Sequence, residues 1–138
     1  MDSLNRRSRA ARIFVVDDQP AVADSIATIL ELRGYEAHAR YSSATLLELA
    51  SELAPDLLIA DVALDPNSIN GVDLAIYFRR FYPECRIILI SGNPNSFDLT
   101  RRARLEGHSF LLLAKPLPPE SLLREVAAAL DDGTKAAA

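Results

Sequence analysis

The chain carries a single cysteine, Cys85, among its 138 residues. One thiol cannot close an internal disulfide or build a thiolate metal cluster, and its isolation fits a reducing compartment. It begins a predicted strand and reads as structural. Histidine is nearly as scarce: His38 and His108 have no acid–base partner at motif spacing and read as surface or loop residues. No apolar run approaches the roughly 20 residues that cross a bilayer. The N-terminus, MDSLNRRSRAAR, has positive charge but no apolar segment behind it, so it is not a secretory signal. A cytoplasmic protein with no membrane partner is expected. A basic excess is missing too, since the net charge is -4. Arg6, Arg7, Arg9 and Arg12 against Asp2 give the first twelve residues +3, which leaves -7 on the remainder. A mildly acidic body argues against direct nucleic-acid binding, and the arm reads as a solvated, frayed terminus.

What is present is an ordinary soluble composition, 49% hydrophobic and 25% charged, in a chain long enough to bury one core without staples. Neither an internal repeat nor a linker divides it. Short apolar runs alternate with amphipathic stretches. RIFVV (12–16), YEAHA (35–39), DLLIA (56–60), CRIILIS (85–91) and SFLLLA (109–114) read as strands. Between and after them lie helical patterns. The first runs from Pro20 to Arg33, with Val22, Ile26, Ile29 and Leu30 on one face and Gly34 as its stop. The second covers 42–53 behind serine caps, with Leu46, Leu49, Ala50 and Leu53 inward. The third covers 72–81, with Leu74, Ala75, Phe78 and Phe81 inward. The fourth starts at an Asn95 or Ser96 cap and runs to about Arg104, before Gly107. The fifth covers 118–130, with Leu122, Leu123, Val126 and Leu130 inward. Strict alternation of short apolar strands and helices predicts an α/β fold with a parallel sheet covered on both faces.

The polar residues that end these strands are the informative ones. Strand one ends at Asp17 and Asp18, strand three at Asp61, strand four at Ser91 and strand five at Lys115. Each alone has a bland reading as a cap, a turn acid or a solvated lysine. Ligands of open parallel sheets bind outside the carboxyl ends of the strands, so together these residues predict one pocket of three carboxylates, a hydroxyl and an ammonium. Three clustered carboxylates need a cation, and oxygen-only ligands favour a hard one, Mg2+. A carboxylate can itself accept a phosphoryl group, while the lysine and serine bind its oxygens.

At this point IFVVDDQPAV, DLLIADVAL, ILISGN and LLLAKPL, in that order, resemble the receiver (CheY-like) domain of two-component response regulators over about residues 12–131. That leaves 1–11 as a basic arm and 132–138 as a tail. The resemblance implies a doubly wound five-stranded sheet of order 2-1-3-4-5 with five helices. Asp61 would be the phosphoacceptor. Asp18 would bind Mg2+ directly, Asp17 mainly through water, and the backbone carbonyl of Ala63 would complete the protein ligands. Ser91 would answer phosphorylation, Lys115 would contact the phosphoryl group, and Lys115–Pro116 would be cis. A sensor histidine kinase or histidine phosphotransfer protein would be the donor, and an unidentified downstream protein the reader. Apart from its own phosphorylation and slow dephosphorylation the protein would not be an enzyme. A stand-alone receiver acting through protein contacts is one expectation, with homodimerisation through the fourth helix, fifth strand and fifth helix. The alternative is a pseudo-receiver that binds partners without phosphorylation. An aspartyl phosphatase and a flavin-binding protein fit the motifs poorly.

Three departures from the pattern stand out. The loop DVALDPNSING is about two residues longer than usual, with Leu64 in place of Met and Asp65 as an extra acid, read as a solvated turn residue. Leu112 stands where an aromatic usually precedes the lysine. Either Phe110 substitutes for it or that switch is absent. Ala63 and Asn93 stand at positions that, in the family it resembles, tune phosphoaspartate hydrolysis.

Overall fold

A computed structural model describes residues 9–64, 69–92 and 96–137, with backbone only for 96–100 and 132–137. Five strands form one sheet: β1 (Arg12–Val16), β2 (Glu36–Arg40), β3 (Leu57–Asp61), β4 (Arg86–Ser91) and β5 (Leu111–Ala114). Five helices alternate with them: α1 (Pro20–Leu32), α2 (Ser43–Ala50), α3 (Gly71–Phe81), α4 (Ser96–Leu105) and α5 (Pro119–Ala137). Every strand pairing is parallel and the order is β2-β1-β3-β4-β5, as expected.

The apolar strands divide by residue parity, because successive side chains point to opposite faces. Phe14, Val16, Leu58 and Leu89 pack with Leu46, Leu74 and Phe78 under α2 and α3. Ile13, Val15, Ile59 and Ile88 pack with Leu30, Leu122 and Val126 under α1 and α5. A strand buried on both sides must be apolar throughout, which is why these runs show no polar alternation. The helices begin and end on local chemistry. Ser42 accepts the Thr45 N–H at 3.1 Å and Asn70 accepts the Asp73 N–H at 2.9 Å, each satisfying an otherwise orphaned donor. Pro20 opens α1, and Gly34 leaves it at φ +89°, a conformation open to glycine. Cys85, just before β4, is buried, and burial pushes its thiol up to about 12, so it is an inert packing group.

Several expectations shift. Phe81 was expected inward but is 59% exposed, tilted against Tyr77 with ring centroids 4.6 Å apart. It lies three residues past buried Phe78, on the last turn and off the inward face. His38, on β2 as the strand read over 35–39 implies, does have an acidic partner: its Nε2 sits 2.8 Å from Glu36 Oε2, and its ring meets Phe14 edge-on. Residues two apart on a strand share a face, which pairs this acid and base. The Arg12 guanidinium, and after it His38, hold the Glu36 carboxyl below its usual range. Arg9 is not free in solvent either, since its guanidinium grips the Asp56 carboxylate at 3.0 and 3.2 Å.

At the other end of the chain, α5 continues to Ala137 through residues that read as a tail. Lys135 and the closing alanines are strong helix formers, and a single glycine interrupts them at a cost of only about 1 kcal/mol. β5 begins at Leu111 and not at Ser109. The Ser109 carbonyl accepts a hydrogen bond from Arg79 Nη1 at 2.8 Å, and the same guanidinium lies 4.3 Å over the Phe110 ring.

Gly71 starts α3 directly against the end of β3. Its N–H donates to the Val62 carbonyl at 2.9 Å. A Cβ there would collide with the Asp61 carbonyl oxygen and come within 2.8 Å of Val62 Cα. Close approach, and not φ, demands this glycine. Gly71→Ala is therefore expected to destabilise the fold by about 1–3 kcal/mol and to disturb the Asp61 backbone. Gly34→Ala, with open space around it, is expected to cost about 1–2 kcal/mol through backbone strain alone and to leave that region untouched. Chemical denaturation of both variants, with amide NMR shifts around residues 61–63, separates the two effects.

Candidate functional site

The parallel register lines up the strand ends. Asp61 pairs with Ile90, Ser91 with Ala114, and Val16 with Ala60. One further residue extends the first strand, because the Asp17 N–H reaches the Arg40 carbonyl at 3.2 Å. Asp17, Asp61 and Ser91 are buried at this edge, 2%, 8% and 7% exposed, while Asp18 lies exposed at the rim. Lys115, whose own N–H donates to the Ser91 carbonyl at 2.8 Å, enters from β5. Its Nζ sits 2.8 Å from Asp17 Oδ2 and 3.1 Å from Asp61 Oδ2. The Lys115–Pro116 bond is cis, as expected.

The two buried carboxylates are held alike. Asp17 Oδ1 accepts the Gln19 N–H at 2.9 Å and Asp61 Oδ1 accepts the Ala63 N–H at 3.2 Å, while the second oxygen of each faces Lys115. Burial, then the neighbouring Asp17 charge, raise the Asp61 carboxyl above its usual range, against the pull of Lys115 and the Ala63 N–H. Burial alone would lower the Lys115 ammonium, but its hydrogen bonds to Asp17 and Asp61 outweigh it and hold the group above its usual range.

All six residues singled out in the sequence therefore meet at one edge: Asp17, Asp61, Ser91 and Lys115 inside, Asp18 and Ala63 at the exposed rim. One carboxylate oxygen from each of Asp17, Asp18 and Asp61 lies within 4.8 Å of the others. Opposite ligands of an octahedral Mg2+ stand about 4.2 Å apart, so this all-oxygen set suits a hard divalent ion after a small closure. Lys115 bridges Asp17 to Asp61, and Asp18 faces solvent at the rim. Asp65, Asn93 and Asn95 lie outside the described residues.

Two features escaped the sequence reading. One is Gly71 beneath the Asp61 backbone, signalled only by a glycine directly after an Asn cap. The other is an apolar groove beside Lys115, about 580 Å³ in volume, walled by Val22, Ile26, Ile29, Leu117 and Leu122. The half-buried face of α1 was its one trace. Leu112, three residues before Lys115, packs against the α2–α3 core. Phe110 packs there as well but lies outside β5, under Arg79.

Residues 13–127 match the response regulator receiver domain. Over 112 residues the chain is 31% identical to the nitrogen assimilation regulatory protein NtrX of Azorhizobium caulinodans, covering 80% of this chain and 24% of that protein. Over 129 residues it is 30% identical to the DNA-binding transcriptional regulator NtrC of Azospirillum brasilense, covering 94% and 26%. The chain thus spans about a quarter of these relatives. Among solved structures, the signal receiver domain of an HD domain-containing protein from Pseudomonas fluorescens Pf-5 superposes with a TM-score of 0.83 at 26% identity, covering 92% of this chain and 99% of that one. A CheY-like receiver domain protein from Methanospirillum hungatei gives 0.79 at 25%, covering 91% and 98%.

A carboxylate whose proton affinity is raised by folding takes up protons in the folded state. Ionised Asp61 therefore costs stability above its folded pKa, and the cost fades as pH falls through that value. Asp61→Asn is expected to stabilise the metal-free protein at neutral pH by on the order of 1 kcal/mol, seen as a higher melting temperature. That advantage should vanish in acid. Mg2+ should stabilise the wild type more than the variant. Thermal unfolding across pH, with and without the ion, checks all three.

Proposed function

The chain belongs to the receiver-domain family of two-component response regulators, and from that premise we propose that it is a phosphorylation-activated switch with Asp61 as its phosphoacceptor. The observation that carries this reading is the shared lysine. Asp61 is held beside an ammonium that can leave its carboxylate for an incoming phosphoryl oxygen. Asp17 keeps that ammonium in place during the exchange, and the backbone N–H groups of Gln19 and Ala63 keep both acids oriented.

The phosphoryl donor would be a phosphohistidine on a sensor histidine kinase or a histidine phosphotransfer protein. An Asp61 oxygen attacks the phosphorus, the phosphorus–nitrogen bond breaks, and the released imidazole takes a proton from solvent. When bound, Mg2+ would neutralise phosphoryl oxygens. Asp17, Asp18, Asp61 and the Ala63 carbonyl would be the residues to hold it, Asp18 directly and Asp17 mainly through water. Lys115 Nζ neutralises a further oxygen. The apolar groove between α1 and the start of α5 opens onto Lys115 and suits the donor's approach. Hydrolysis of the acyl phosphate by water ends the signal. These are the only reactions proposed for the protein, and both act on itself.

A phosphoryl group adds about -1.5 to -2 charge where two carboxylates already crowd one lysine. Ser91, buried between the Asp61 and Lys115 strands, would hydrogen-bond it. The response biases a two-state equilibrium that a downstream protein reads. The edge strand β5, with Leu111 43% exposed between α4 and α5, is the proposed self-association face. Leu112 has no hydroxyl and no ring, so readout through a rotating aromatic at that position is absent from this reading.

Incubation with acetyl phosphate and Mg2+, followed by intact mass, is expected to show gain of one phosphoryl group in the wild type. The gain should be lost in Asp61→Ala and on chelation of the metal, and strongly reduced in Lys115→Ala. A folded wild type that gains nothing, from acetyl phosphate or from a phosphohistidine protein, would favour the phosphorylation-independent binding module.

A further inference from the structure

Helix α3 buries Val72, Leu74, Ala75 and Phe78 against the core, yet its outer side is not uniformly polar. Tyr77 is 38% exposed and Phe81 59% exposed on that side. Ile69, just ahead of the Asn70 cap, is 40% exposed. Tyr77 and Phe81 lie four positions apart and touch, with ring centroids 4.6 Å apart. A ring pair at that spacing steadies its own helix slightly. This accounts for the contact between the rings and not for their exposure.

Two opposite charges flank the rings. Asp73 is exposed on the first turn of α3 and Arg80 on the last. The helix dipole favours both placements. Seven positions set them on one side of the helix but about 10 Å apart along its axis, too far to neutralise each other. Among the described residues neither side chain has an ion-pair partner. Of the charged groups beside Arg80, Arg79 is turned to Ser109 and Phe110, and Glu84 is already engaged. The face therefore reads acid, aromatic, base, with Tyr77 near its midpoint.

We propose that the outer face of α3 is a docking surface for a second copy of this chain, the two helices lying antiparallel about a two-fold axis at Tyr77. In such an isologous pair, a residue before the axis meets the one equally far beyond it on the other protomer. Asp73 then meets Arg80 of the partner subunit, and the same pair forms again by symmetry. Between the two ion pairs the rings at 77 and 81 of both protomers cover one another. Parallel helices would set like charges together and do not fit. The face is thus its own complement, a property that a foreign partner would have to supply in reverse order. A contact through one helix buries less than the roughly 800 Å² that each partner gives to a standard interface, so the dimer is weak and depends on concentration. It rests on α3 side chains and needs neither phosphorylation of Asp61 nor the β5 edge.

Sedimentation of the full chain from about 10 to about 500 μM, with no metal or phosphoryl donor, reads this weak association. The mean mass of the wild type is expected to climb from monomer towards dimer. Phe81→Ser and Tyr77→Ser should each weaken the dimer about tenfold or more. Asp73→Arg and Arg80→Asp should each weaken it alone, by setting like charges together. An equimolar mixture of those two variants should recover it, because every pair across the axis is then opposite in sign. A helix that was merely destabilised would not recover on mixing. Arg124→Glu, on exposed α5 surface, should leave the association unchanged. Circular dichroism verifies folding; should a charge-reversed variant unfold, Asp73→Asn and Arg80→Gln carry the comparison, and their double variant should associate no more weakly than either single one. With no donor present, failure of Asp61 to accept phosphate leaves the readout untouched. A wild type that stays monomeric, a mixture of folded variants that does not recover, or an association lost in Leu111→Ser and kept in Phe81→Ser overturns the proposal.

Discussion

Two buried carboxylates share one ammonium at the open edge of this sheet, and most of the architecture answers to that arrangement. Asp17 and Asp61 arrive on adjacent strands, so neither can retreat from the other without breaking the β1–β3 ladder. Their charges are tolerable only because Lys115 lies between them and each keeps one oxygen on a backbone N–H. The edge nevertheless remains under-neutralised, with three acids against one base. Burial first, and then the neighbouring Asp17 charge, raise the proton affinity of Asp61. A divalent cation and a phosphoryl group would enter an edge already poised to exchange partners.

Such poise requires a stiff frame. Each of the central strands β1 and β3 is buried on both faces, so the acids sit at the end of rods fixed by packing above and below. The softer structure lies around them. The edge strand β5 has only four residues, and its entry is strapped to α3 by Arg79 through Ser109 and the face of Phe110. An aliphatic residue stands at 112, and the ring at 110 is held under the Arg79 guanidinium outside the strand.

Much of this was legible in the residues themselves. Apolar runs ending on Asp17, Asp61, Ser91 and Lys115 named the strands and the edge together, because in a parallel sheet chain direction alone decides which ends converge. What escaped the sequence was set by distance along the chain. Asp17 and Lys115 are 98 positions apart, so which acid the lysine would choose depended on register and not on any motif. Arg79 gripping Ser109, 30 positions away, moved the start of β5 in the same manner. Phe81 failed for a different reason: helical periodicity counts faces, and a last-turn residue at the margin of the inward face falls either way. His38 shows the opposite error. Its partner Glu36 was two residues off, and the strand's own period makes that spacing a contact.

The hydrogen bond from the Gly71 N–H to the Val62 carbonyl closes the chain on itself immediately after Asp61. Val62 and Gly71 are thereby held together as two fixed anchors. The entropy of closing such a loop grows only slowly with its length. Residues gained or lost within it need not disturb the sheet or the start of α3. A change in the number of residues between these two anchors is therefore cheap, and Asp61 stays where the strands put it.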